Sequence, residues 1–237
     1  VLTRWRDRPL SAVLLDLDGT LLDTAEDIAK ALNRALAEMH FASLATAEVR
    51  NMIGRGAPVL ITRAVAHLGA AVYADGQAQL LERFDFHYDQ LHRLKECHSR
   101  VYPGVAEGLR ELHDMGLRLA VVTNKTRPMA VALLHQLALN PWIDAVVGGD
   151  CCGYRKPNPE PLLLACQKLQ VDPRAVLMVG DSTNDVAAAR AAGIPVVCVP
   201  YGYNEGRDPR ELPCDAFIES LTELPQLLAG ASLLSTQ

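Results

Sequence analysis

The chain has 237 residues, 49% of them hydrophobic, and a formal net charge of −5. That apolar content supports one large core or two domains. Charges of both signs are mixed along the chain, which leaves no basic stripe for nucleic acid and no basic amphipathic segment for a membrane surface. No apolar run reaches the roughly 18 residues of a membrane span. The segment Val1 to Pro9 carries charge without a signal-peptide apolar core. Six cysteines, Cys97, Cys151, Cys152, Cys166, Cys198 and Cys214, show no CxxC metal spacing. Reduced thiols and a cytoplasmic location are the expectation.

In chain order, the apolar run Ala12 to Leu15 predicts a buried strand, followed by Asp16, Asp18 and the turn residue Gly19. On an extended chain Asp16 and Asp18 lie on one side. Thr24 is the expected N-cap of the next helix, with Glu26 and Asp27 in its first turn. Apolar residues at Ile28, Ala31, Leu32, Ala35, Leu36 and Met39 have helical spacing. Helix-like patterning continues to about Ser99, with breaks expected at Phe41 to Ala45, Gly54 to Pro58 and Gly69 to Gly76. From Tyr102-Pro103-Gly104 onward strands and helices alternate. Strands are predicted at 117–122, 143–147, 175–179, 195–199 and 216–218, with helices between them and a fraying tail at 230–237. This alternation predicts an α/β fold with a mostly parallel sheet wrapped by helices. The expected division is a discontinuous core, 1–23 with 100–237, and an all-helical insertion at 24–99.

Thr123 ends the second core strand, Lys156 lies in the loop Tyr154-Arg155-Lys156-Pro157, and Asp181 and Asp185 follow the fourth. Each alone has an ordinary structural explanation as a cap or a solvated loop residue. Together with Asp16 and Asp18 they converge on one carboxyl edge, where open α/β sheets collect their chemistry. A carboxylate can act as a nucleophile and divide a difficult hydrolysis into two easier steps. Its repulsion from a phosphate is relieved by a divalent ion and a lysine. Mg²⁺ suits carboxylate, carbonyl and water ligands. Thr123 and backbone N–H groups near Asp18 and Gly19 can meet phosphoryl oxygens, and Asp18 is available to exchange a proton with the leaving oxygen.

Asp16-Leu17-Asp18-Gly19-Thr20, Thr123-Asn124, Lys156-Pro157 and Gly180-Asp181-Ser182 with Asp185 resemble, in order, the four motifs of the haloacid dehalogenase (HAD) superfamily. The resemblance spans essentially the whole chain and implies a Rossmann-like HAD core with a helical cap inserted after the first strand. It implies Asp16 as nucleophile, Asp18 as general acid/base, Thr123 and Asn124 for phosphate and Lys156 for charge. Mg²⁺ would be held by Asp16, the Asp18 backbone carbonyl and Asp181, with Asp185 supporting the metal site. Asp18 argues against the dehalogenase branch. The insertion resembles the cap of the phosphoglycolate phosphatase and β-phosphoglucomutase group. Gly54-Arg55-Gly56-Ala57-Pro58, Val101-Tyr102-Pro103-Gly104-Val105 and Pro200-Tyr201-Gly202-Tyr203-Asn204 are similar to loops of bacterial phosphoglycolate phosphatases. Arg55 departs from that pattern, where Asn is more usual. Its guanidinium is the expected partner of a substrate carboxylate. The substrate expected is a small phosphorylated metabolite, 2-phosphoglycolate first, in a monomer or homodimer with no nucleic-acid or membrane partner. Another sugar or amino-sugar phosphate, a phosphomutase reaction, and a catalytically silent binding module are the alternatives.

Overall fold

The computed structural model describes residues 3–6, 8–69, 74–94 and 96–229. In chain order the strands are β1 (Arg4–Trp5), β2 (Arg8–Pro9), β3 (Ala12–Leu15), β4 (Leu22–Asp23), β5 (Arg100–Val101), β6 (Arg118–Val122), β7 (Ala145–Val147), β8 (Val176–Gly180), β9 (Val196–Cys198) and β10 (Ala216–Phe217). The helices are α1 (Ala25–Glu38), α2 (Thr46–Arg50), α3 (Ala57–His67), α4 (Ala74–Arg93), α5 (Val105–Asp114), α6 (Arg127–Gln136), α7 (Glu160–Leu169), α8 (Thr183–Ala192) and α9 (Glu223–Leu228).

Six strands form one sheet in the order β10-β9-β8-β3-β6-β7. Every neighbouring pair runs parallel. The chain builds outward from β3 through β6 and β7, then returns to β3's other side with β8, β9 and β10. That reversal puts the topological switch point at β3, where a crevice opens beyond the carboxyl ends of the strands. Leu15 is level with Val121 on one side and Val179 on the other. Asp16, Thr123 and Asp181 therefore emerge along one edge.

The strands are apolar throughout because both faces are covered. Val13, Leu15, Leu119, Val121, Leu177 and Val179 belong to the cluster on one face. Ala12, Leu14, Ala120, Val122, Val176 and Met178 belong to the cluster on the other. This is the period-two alternation of a strand with helices on each side.

Helices α1 to α4 bury a separate cluster, including Ile28, Leu32, Leu36, Val49, Ile61, Leu80, Phe84, Tyr88 and Leu91. The two connections into this helical segment are tied together. Leu22 pairs with Val101 and Asp23 with Arg100 in the antiparallel ribbon β4–β5. Neither short ribbon was expected, since two-residue strands carry no periodic signal. Asp27 is fully buried and accepts from the backbone N–H groups of His98 and Ser99 at 2.8 Å each. Helix α4 begins at Ala74, so Gly76 lies inside a helix where a break was expected. The expected tail at 230–237 lies outside the described residues.

Candidate active site

Asp16 leaves the end of β3 and is almost fully buried. Its carboxylate meets the Lys156 ammonium at 2.8 Å, and the same ammonium reaches Asp185 at 2.7 Å and donates to the Val122 carbonyl at 2.7 Å. Lys156 thus lies among three oxygens with its charge shared by two carboxylates. Asn124 fixes the backbone beneath it. The Lys156 N–H donates to the Asn124 side-chain oxygen, and the Asn124 amide donates to the Lys156 carbonyl, both at 2.9 Å. The same amide also donates to the Gly54 carbonyl at 2.9 Å, tying the loop before α3 to the core.

Asp185 is fully buried near the start of α8. Its second oxygen accepts from the Asp181 N–H, the Ser182 N–H and the Ser182 hydroxyl at 3.2, 3.1 and 2.7 Å. Asp181 accepts from the Thr20 hydroxyl at 2.7 Å and the Tyr203 N–H at 2.6 Å. Two glycines make room for it. A Cβ on Gly19, whose φ is +94°, or on Gly202 would stand 2.3 Å from the Asp181 carboxylate.

Three carboxylate oxygens, from Asp16, Asp181 and Asp185, lie within 4.8 Å of one another. Burial pushes the Asp16 carboxyl up to about 7, with Asp185 and Asp18 adding to the rise and Lys156 opposing it. Burial, then Asp185 and Asp16, hold Asp181 well above the ordinary carboxylate range. Burial works against the Lys156 ammonium, but Asp16 and Asp185 raise it on balance. One lysine does not offset three buried acids. A hard divalent cation fits this set, since it supplies the missing positive charge to oxygen ligands.

Asp18 stands at the mouth. It accepts from the Thr24 hydroxyl at 2.6 Å and pairs with the Lys125 ammonium at 3.1 Å. Thr24 therefore does not cap α1 with its side chain, as expected from sequence. The orphan N–H groups of Thr24 and Ala25 instead meet the Tyr203 hydroxyl at 2.7 and 3.1 Å, and that hydroxyl donates to Asp23 at 2.6 Å. A cavity of about 150 Å³ opens over Asp16 and Asp18. Thr123, Asn124, Lys125 and Arg155 line its core side, and Ile53, Leu60, Phe84, Asp85 and Tyr88 its helical side. Thr123 is buried, and its hydroxyl accepts from the Lys125 N–H at 3.2 Å.

Arg55 is not on that wall. Its guanidinium pairs with Glu205 at 2.9 Å, and Arg63 reaches the same carboxylate at 2.7 Å. Sequence expects Arg55 to face a substrate carboxylate; in the structure its partner is an acid from the loop after β9. Thr20, Tyr203 and Lys125 were not singled out from sequence. Lys125 directly follows the strand-ending Thr123-Asn124, and Tyr203 follows Gly202 in a loop whose likeness was noted. Those were the available signals.

A Rossmann-like sheet whose switch point carries Asp16 beside a buried lysine and an acid cluster is the arrangement of a HAD-type hydrolase. The family model for haloacid dehalogenase-like hydrolases matches residues 10–193, and the chain belongs to that family. A phosphoglycolate phosphatase of Nitrosospira multiformis is 44% identical over 225 residues, covering 94% of this chain and 98% of that protein. The plasmid phosphoglycolate phosphatase of Cupriavidus necator is 46% identical over 228 residues, covering 95% and 96%. Among solved structures, a predicted phosphoglycolate phosphatase from Haemophilus somnus superposes with a TM-score of 0.85 at 31% identity, covering 92% of this chain and 97% of that one.

Proposed function

We propose that this chain is a Mg²⁺-dependent phosphate-monoester hydrolase that works through an aspartyl phosphate on Asp16 and takes 2-phosphoglycolate to glycolate and phosphate. The observation that carries the reading is the Lys156 ammonium held between Asp16 and Asp185. A nucleophile that must approach an anionic phosphoryl group lies beside a buried positive charge. The names of the relatives support the substrate.

In this reading Asp16 attacks phosphorus and Lys156 takes up charge on the phosphoryl oxygens. The Thr123 hydroxyl and backbone N–H groups beyond Asp16 orient those oxygens. Asp18, held by Thr24 and Lys125, gives a proton to the leaving oxygen and later takes one from the attacking water. Asp16, the Asp18 carbonyl and Asp181 would hold Mg²⁺, which when bound supplies positive charge against the phosphate. Asp185 orients Lys156 and the backbone of Asp181 and Ser182. Asn124 positions Lys156 and docks the Gly54 carbonyl.

The division into a core of 1–23 with 100–237 and a cap of 24–99 belongs to the same proposal. It is supported by the separate cluster of α1 to α4 and the ribbon that closes their two connections. Closure of such a cap excludes water and strengthens the electrostatics inside. Among the described residues no helix is long and apolar enough to cross a membrane. A cytoplasmic location, supported by free cysteines, completes the proposal.

The test is phosphate release from a panel of esters, ranked by kcat/KM, with product analysis. The expected result is free phosphate, fastest from 2-phosphoglycolate, lost in Asp16→Asn. An isomerised sugar phosphate instead of free phosphate would replace hydrolase by mutase.

A further inference from the structure

In the phosphoryl chemistry set out above Lys125 only holds Asp18, yet it is a largely buried cation on the cavity wall. Its side chain is 9% exposed, and its ammonium lies 3.1 Å from the Asp18 carboxylate. It also lies 4.7 Å from the centre of the Tyr88 ring, which α4 presents from the other side of the cavity. The base of the side chain is anchored. The Lys125 N–H donates to the Thr123 hydroxyl at 3.2 Å, and its carbonyl accepts from the Gly149 N–H at 2.8 Å. An ammonium carries three donors, so pairing with Asp18 leaves capacity for another acceptor.

Tyr88 adds a second observation. It is fully buried and lines the same cavity, and its hydroxyl makes no well-formed hydrogen bond among the described residues, its polar neighbour being the Lys125 ammonium itself. A buried hydroxyl without a well-formed hydrogen bond calls for an explanation. A ligand oxygen in the cavity would satisfy it.

We propose that Lys125, assisted by the Tyr88 hydroxyl, reads the carboxylate of the substrate. The proposal rests on the hydrolase reading and deepens it. With the phosphoryl group at Asp16, the bridging oxygen lies against Asp18. In phosphoglycolate the carboxylate carbon is two bonds beyond that oxygen. A cation touching Asp18 is therefore within reach of the carboxylate, and the other candidates are worse placed. Arg55 is paired with Glu205 outside the cavity. Arg155 is an exposed residue on the wall. Asp85 also faces the cavity, so loss of Lys125 would leave a carboxylate substrate facing two acids.

This pair also gives the cavity its selectivity. The apolar side chains Ile53, Leu60 and Phe84 favour a small organic group, and one buried ammonium with one hydroxyl distinguishes an acid from a neutral isostere. A site whose polar groups are built for a partner rejects the analogue lacking it more strongly than an apolar wall can.

The experiment compares kcat/KM for 2-phosphoglycolate and ethyl phosphate, which lacks the carboxylate, in wild type, Lys125→Met, Lys125→Gln, Tyr88→Phe and Arg155→Ala. Competitive inhibition by inorganic phosphate reports that each variant keeps a folded site. Any loss acting through Asp18 is common to both esters and cancels in their ratio. In both Lys125 variants the ratio should fall roughly ten- to a hundredfold, the size of a lost charged hydrogen bond, mainly through KM. Tyr88→Phe should lower it severalfold, and Arg155→Ala should leave it within about twofold. A ratio unchanged in both Lys125 variants, or one that collapses only in Arg155→Ala, overturns the assignment while the substrate reading stands. If wild type hydrolyses both esters but does not prefer phosphoglycolate, the substrate reading and the assignment fall together. No phosphate release from any ester would reject the hydrolase reading itself.

Discussion

Replacing Lys156 by Met tests the electrostatics of the site apart from its chemistry. The methionine fills similar volume but removes the ammonium from between Asp16 and Asp185, 2.8 and 2.7 Å away. Breaking one partner out of a buried ion pair costs about 3–5 kcal/mol. A second route gives the same size. Without the lysine, one further carboxylate must be neutral in the folded state. Keeping an Asp protonated at pH 7 against an unfolded value near 3.9 costs about 4 kcal/mol, at roughly 1.4 kcal/mol per pH unit. The sign follows from linkage. The folded variant binds a proton that its unfolded chain releases, so its stability falls as pH rises above about 4. The deficit relative to wild type should be about 4 kcal/mol at pH 7 and about 1.5 kcal/mol at pH 5. Urea unfolding with a chelator present, extrapolated linearly at both pH values, measures it. A deficit below about 1 kcal/mol, or one of equal size at both pH values, would refute the ion-pair reasoning.

Asp16→Asn should abolish detectable phosphate release while circular dichroism stays unchanged, because an amide is a poor nucleophile and the uncatalysed reaction is among the slowest known. Asp181 carries a raised carboxyl pKa from burial, Asp185 and Asp16. In metal-free protein the charged form therefore destabilises the fold increasingly as pH rises above the unfolded value. Asp181→Asn should accordingly gain melting temperature relative to wild type between about pH 5 and about pH 8, and calorimetric titration should show its Mg²⁺ affinity lowered at least tenfold. Gly19→Ala combines a φ of +94° with a Cβ 2.3 Å from the Asp181 carboxylate. It should lose metal affinity and about 1–3 kcal/mol of stability, read by the same titration and by urea unfolding. Arg55→Ala removes one of two partners of Glu205 at a half-exposed site. Its stability change should stay within about 1 kcal/mol, and its effect on kcat/KM should be the same for phosphoglycolate and ethyl phosphate.

By itself the sequence determined the succession of strands and helices along the chain and the edge at which the acids emerge. An apolar run closed by a charged or polar residue states where a buried strand ends. Asp16, Thr123 and Asp181 are each such a residue, next to β3, β6 and β8. The helical character of 24–99 was legible for the same reason, since apolar spacing is a local property. What only the tertiary structure decided is the partner of each polar side chain. Thr24 looks like a cap from its neighbours, but its hydroxyl goes to Asp18 and Tyr203 caps the helix from 179 residues away. Arg55 looks like a ligand-binding cation between two glycines until Glu205 is folded onto it. Lys125 carries no local signal of its own, and β6 brings it to within 4.7 Å of the Tyr88 ring of α4. The contacts of Tyr203, Glu205 and Tyr88 join segments brought together by the packing of the helical insertion on the sheet. Hydrophobic periodicity reports which face of an element is buried. Which charge stands opposite which depends on distances between elements, and those exist only once the chain is folded.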